Sequence, residues 1–183
     1  MVAIALALTA CGSDAEDSAD PTTAPPAVTA PVGPGTAYIR SLDEATRAMV
    51  GVAAAALDPG AAPGARGPRI EAELLRLEAA AEALAALSLA DAEVDAQRAD
   101  VVVAVPLFIA AMRDVVAAGE VDPVNGGLEL VQRRDDLLSG VDAVLAADAG
   151  AIRALGDEAR AVLTDAQEEL RRQLDALGAQ AAG

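Results

Sequence analysis

The chain has 183 residues, enough for one domain with extensions, and it carries 29 acidic against 13 basic side chains for a net charge of -16. Histidine is absent and all of the positive charge is arginine, which excludes imidazole bases, His-ligated metals, lysine Schiff bases and Walker-type phosphate lysines. Hydrophobic residues make up 54% and aromatics only 1%, a balance that points to an all-α protein with a fine-grained aliphatic core, while the acidic charge points away from nucleic acid.

Met1 to Ala10 form a short apolar run without charge, ending in Leu8-Thr9-Ala10 directly before Cys11, the only cysteine. An aliphatic residue, two small residues and a cysteine in this order resemble the lipobox of a bacterial lipoprotein signal peptide. The resemblance covers residues 1–14 and says nothing of the fold. It implies that residues 1–10 are a signal peptide cut before Cys11, whose thiol takes a diacylglycerol group and whose new amino terminus is acylated, with palmitate as the typical chain. The implied address is the extracytoplasmic face of the cell membrane, held through covalent lipid, with another envelope protein as the expected partner. The pattern departs from the family in one respect, because no Lys or Arg precedes Cys11 where secretory signals open with positive charge; the expectation is a true start further upstream. The Ala- and Arg-rich, lysine-free composition resembles that of proteins from GC-rich actinobacteria. Because a membrane span needs about 20 apolar residues, the run before Cys11 is too short to anchor the chain, and acyl chains are expected to do so. A lone thiol that carries lipid needs no disulfide partner.

Residues 11–35 read as a tether. Acidic and serine residues open it and Pro21, Pro25, Pro26, Pro31 and Pro34 follow, a composition too poor in apolar surface to offset chain entropy. The expectation is an extended spacer, at about 3.1 Å per residue where it adopts the polyproline conformation. Thr22, Thr23 and Thr29 among these prolines are candidates for O-glycosylation.

From residue 36 to 178 the apolar residues fall three and four apart, the period of a helix with one buried face. A first helix over Thr36 to Leu57 carries Ile39, Leu42, Thr46, Met49, Ala53 and Ala56, and stops at Asp58-Pro59-Gly60. A second over Pro68 to Leu87 presents Ile70, Leu74, Leu77, Ala81 and Leu84. A third over Asp91 to Ala118 shows Val94, Arg98, Val101, Val105, Phe108, Met112 and Val115, and ends at Gly119 and Asp122-Pro123. Beyond it the stripe runs through Val124, Leu128, Val131, Leu138, Val141 and Leu145, then Ile152, Leu155, Ala159, Val162, Ala166, Leu170 and Leu177. This last stretch is divided near Ala147-Asp148-Ala149-Gly150, with Gly156-Asp157 as the competing break. Short connections predict an up-and-down antiparallel bundle of four or five helices, with residues 179–183 as a flexible end.

Sites are sparse in this pattern. Di-iron centres of helical bundles need Glu-x-x-His motifs, so Asp135-Asp136 and Glu168-Glu169 read as solvated faces beside Arg133, Arg134, Arg171 and Arg172. No metal or other cofactor is expected, and no catalytic group stands out. Arg98 interrupts an apolar stripe and is either an anion-binding arginine or one that reaches water along its stem. Pro106 breaks the hydrogen bonding of its helix and either opens a pocket beside Phe108 and Met112 or merely curves the helix. The loop from Gly60 to Arg69 has glycines and two arginines ahead of a helix start, yet lacks the lysine of a phosphate loop. Asp122-Pro123-Val124-Asn125-Gly126-Gly127 reads as a turn or a frayed helix start. The resulting expectation is a lipid-anchored protein that acts by binding and not by catalysis, with a carrier of a small apolar or lipid ligand in the bundle core and, after it, an enzyme using paired carboxylates as the alternatives.

Overall fold

Apolar residues at helical spacing gather into six α-helices: α1 (Pro34–Leu57), α2 (Arg66–Ala85), α3 (Ala92–Val121), α4 (Pro123–Gln132), α5 (Arg134–Leu155) and α6 (Asp157–Ala181). The computed structural model describes residues 33–58, 60 and 64–181. The expected signal peptide, Cys11, most of the tether and Pro59 lie outside the described residues. The architecture is an all-α helical bundle, with no strand among the described residues. The helical region is slightly longer at both ends than expected, since α1 takes in Pro34 and Gly35 and α6 continues to Ala181. Pro34 occupies the first turn of α1, where a missing N–H costs nothing.

Five long helices alternate in direction. Asp58 at the end of α1 meets Arg69 at the start of α2, Gly67 of α2 meets Glu120 of α3, and Gln97 and Phe108 of α3 lie against Gly150 and Gly140 of α5. An odd number of alternating helices leaves one parallel pair, and that pair is α1 and α6, joined near their starts by Thr36 Oγ1 donating to Glu158 at 3.0 Å. α1 packs against α2, α5 and α6, so its burial extends well beyond the expected single stripe to Tyr38, Ala45, Ala48, Val52 and Ala55. Leucine, valine and alanine fill the layers, as the near absence of aromatics requires.

α3 is the one described helix long and apolar enough to cross a membrane, with a mean hydropathy of 2.1 in its most apolar window. Val101, Val105, Phe108, Ile109 and Met112 are buried in the bundle, and α3 packs most extensively against α5, which accounts for its apolar length. Its start is capped by Asp91, whose carboxylate accepts from Glu93 N and Val94 N at 2.9 and 3.1 Å, the usual role of Asp at that position.

Three expectations are corrected in the last third of the chain. The preferred break at Ala147–Gly150 lies inside α5, and the chain turns instead at Gly156, with φ +70°, a left-handed conformation that favours glycine. Gly150 faces α3, and the amide end of the Gln97 side chain lies in the space a Cβ would take, 1.6 Å from Oε1. The segment after Asp122 is a ten-residue helix, the second of its two readings, with Asp122 accepting from Val124 N at 2.9 Å, and it brings the described helices to six where four or five were expected. Val124, Leu128 and Val131, expected on a buried face, are 67%, 57% and 73% exposed. The cause is placement. α4 stands outside the ring of long helices and touches α3 closely at Gly126, where a Cβ would lie 2.7 Å from Gly119 Cα.

Candidate functional site

The residues singled out in the sequence do not converge on one place. Arg98 is largely covered, its Nε donating to Asp95 at 2.8 Å and its Nη1 to the Leu84 carbonyl at 3.2 Å, a carbonyl at the end of α2 that also accepts from Leu87 N at 3.1 Å. That hydrogen bond from Arg98, with a second from Leu89 N, holds the Asp95 carboxyl below the usual carboxylate range. Pro106 is exposed and lines an open groove of about 530 Å³ between α2 and α3, floored by Ala81, Ala85, Val102, Ile109 and Ala110. Phe108 and Met112 do not line it; both are buried, and Phe108 faces Gly140 of α5. The arginines of the α1–α2 connection are occupied by one residue, since Arg69 pairs with the Asp58 carboxylate at 2.6 Å and Arg66 Nη2 donates to the Asp58 carbonyl at 2.8 Å. Asp135 and Glu168 are exposed, Glu169 pairs with Arg172, and no group of three acidic or thiol side chains among the described residues is placed to hold a metal.

The polar chemistry of the interior lies elsewhere, between α1, α3 and α5. Asp148 of α5 is completely buried, as are Tyr38 and Thr46 of α1. Thr46 Oγ1 stands 2.9 Å from Asp148 Oδ2 and 2.9 Å from the Leu42 carbonyl. Asp148 Oδ1, Tyr38 Oη and Gln97 Oε1 are buried without a hydrogen-bond partner, an arrangement that low-dielectric surroundings make costly. On the α6 side, Gln167 Nε2 donates to the Leu145 carbonyl at 3.4 Å.

Burial pushes the Asp148 carboxyl up to about 7; the Thr46 hydrogen bond and the Arg171 charge oppose this, while Asp43 adds to it. Burial, and after it the Asp148 charge, lift the Tyr38 phenol above its ordinary range. A carboxyl shifted to neutrality can take up or release a proton under physiological conditions, which is the chemical capacity this cluster has.

Asp148 escapes a reading of the sequence that places the break at Ala147–Gly150. A signal is present nonetheless: Val141, Val144, Asp148 and Ala151 continue one stripe at helical spacing, and all four are buried. Tyr38 and Gln97 carry no comparable signal. No family model, curated protein or solved structure matches this chain.

Proposed function

We propose that this protein is a membrane-anchored lipoprotein, lipidated on Cys11, whose helical bundle acts by binding another envelope protein. The anchor rests on Leu8-Thr9-Ala10-Cys11. The observation that carries the binding role is the apolar stripe of α4. Val124, Leu128 and Val131 follow one another at helical spacing and are all more than half exposed, whereas monomeric proteins seldom leave apolar surface gathered in this way. α4 follows the end of α3, and α3 starts and ends opposite to α2, so α4 sits at the end of the bundle away from Pro34. The 24 residues of α1 put roughly 35 Å between those ends at helical rise, a placement that leaves the stripe clear of the tethered end and open to a partner.

Two experiments address the anchor and the interface separately. Replacing Cys11 by Ala is expected to move the protein from the membrane fraction to the soluble fraction and to abolish labelling by palmitate; retention in the membrane would overturn the anchor. Leu128→Glu is expected to change stability by less than about 0.5 kcal/mol, because the side chain is exposed, and to abolish the crosslinking to an envelope partner that is expected of the unaltered chain. Undiminished crosslinking would remove α4 from the interface.

A second reading, a carrier of a small apolar molecule, is favoured by the groove beside Pro106. It predicts that solvent extraction of the purified protein releases a lipid, and an empty extract would sink it.

A further inference from the structure

The hydrogen bonds around Thr46 do not balance if Asp148 is ionised. A threonine hydroxyl has one hydrogen to give, yet Thr46 Oγ1 is 2.9 Å from two oxygens, the Leu42 carbonyl and Asp148 Oδ2. An ionised carboxylate and a carbonyl are both acceptors only, so one of these contacts would set lone pair against lone pair. A protonated carboxyl resolves this: Asp148 donates to Oγ1, and Oγ1 donates to Leu42.

The charged groups around Asp148 do nothing to reverse that preference. From α1, Asp43 is a like charge, already paired with Arg47 at 2.8 Å, and the buried Tyr38 phenol, lifted above its ordinary range, brings no opposing charge. From α6, Arg171 favours the ionised form but makes no ion pair with Asp148. From α3, Arg98 is committed to Asp95 and the Leu84 carbonyl, and Gln97 offers an unpartnered oxygen. α4 meets α5 only slightly, and its Glu129 pairs with Arg133. On α5 itself, Arg153 pairs with Glu93.

We propose that Asp148 is a proton-binding site that couples the packing of α1 against α5 and α6 to the surrounding pH: the protonated carboxyl completes the relay through Thr46 to Leu42, and loss of the proton leaves a buried, underbonded charge that loosens this interface. Neither the membrane anchor nor α4 enters into it.

The sign follows from linkage. The folded-state value of about 7 lies above the ordinary carboxylate value of 3.8, so between these values the folded chain holds a proton that the unfolded chain has released. The stabilisation is fully present below the unfolded value and is lost as pH rises through the folded one. Relative to Asp148→Asn, which cannot ionise, the unfolding equilibrium constant of the unaltered protein is expected to rise about a hundredfold from pH 5 to pH 8.

The test combines a direct titration with variants. In the purified protein, the carboxyl carbon of Asp148 followed by NMR is expected to titrate near neutrality; a midpoint below pH 5 would overturn the proposal whatever the variants do. Thr46→Val, which removes the hydroxyl through which the proton is relayed to Leu42, is expected to shift that midpoint, and Thr46→Ser, which keeps the hydroxyl, to leave it in place. Parallel pH–stability profiles for the unaltered protein and Asp148→Asn would equally overturn it.

Discussion

Gly140→Ala is expected to destabilise the bundle by about 3 kcal/mol, at the upper end of the usual cost of overpacking. Helix propensity alone predicts the opposite sign, since alanine is better than glycine inside a helix by about 1 kcal/mol. The contact decides. A Cβ at Gly140 would stand 2.6 Å from Phe108 Cβ and 3.2 Å from two ring atoms, and the nearest of these atoms is fixed to the backbone of α3. The side chain cannot swing away, so α3 and α5 must separate along the most extensive interface in the fold. Gly127→Ala in α4 is the control, because nothing lies within 4 Å of its added Cβ, and there propensity is expected to win with a gain of about 0.5–1 kcal/mol. Thermal or urea unfolding of the two variants reads both signs. Two stabilising substitutions would show that α3 and α5 are not so closely apposed.

Phe108→Ala is expected to cost about 3–5 kcal/mol, the range for emptying a buried phenylalanine site. The side chain is 6% exposed and packs toward α5, away from the groove at Pro106. If Phe108 instead lined a ligand pocket, truncation would cost little stability and would show itself in ligand release. The double variant adds a sharper expectation. Phe108→Ala keeps the Cβ that the methyl group of Gly140→Ala would strike, so the clash persists and the two penalties are only partly relieved by combination. Phe108→Gly removes that Cβ and is expected to relieve the clash in the Gly140→Ala background, at its own cost in packing.

The long helices are legible in the sequence because each buries a stripe whose period is written in leucine, valine and alanine. Ile70, Leu74, Leu77, Ala81 and Leu84 of α2 are expected inside, and all are. The break within residues 123–177 is harder, because Gly150 and Gly156 both follow small or apolar residues and neither is marked by a proline. What separates them is tertiary: the Gln97 side chain of α3 lies over Gly150, and of the two only Gly156 takes a left-handed φ. The stripe of Val124, Leu128 and Val131 reads as core for the same reason that α2 does, since periodicity reports which face is apolar and not what covers it. Asp148 is hidden by its identity. An acid at a stripe position reads as a loop residue until its helix is known to continue past it.

Tyr38 has a practical consequence. The chain contains no tryptophan and a single tyrosine, and that tyrosine is fully buried beside the ionisable carboxyl of α5. Its ultraviolet absorption and emission at wavelengths longer than the phenylalanine band therefore come from one position, at the seam where the bundle closes. The phenol ring is a built-in reporter, site-specific without any label. Opening of α1 from α5, by pH, by heat or by a partner, would appear as a change in the light emitted by a single residue.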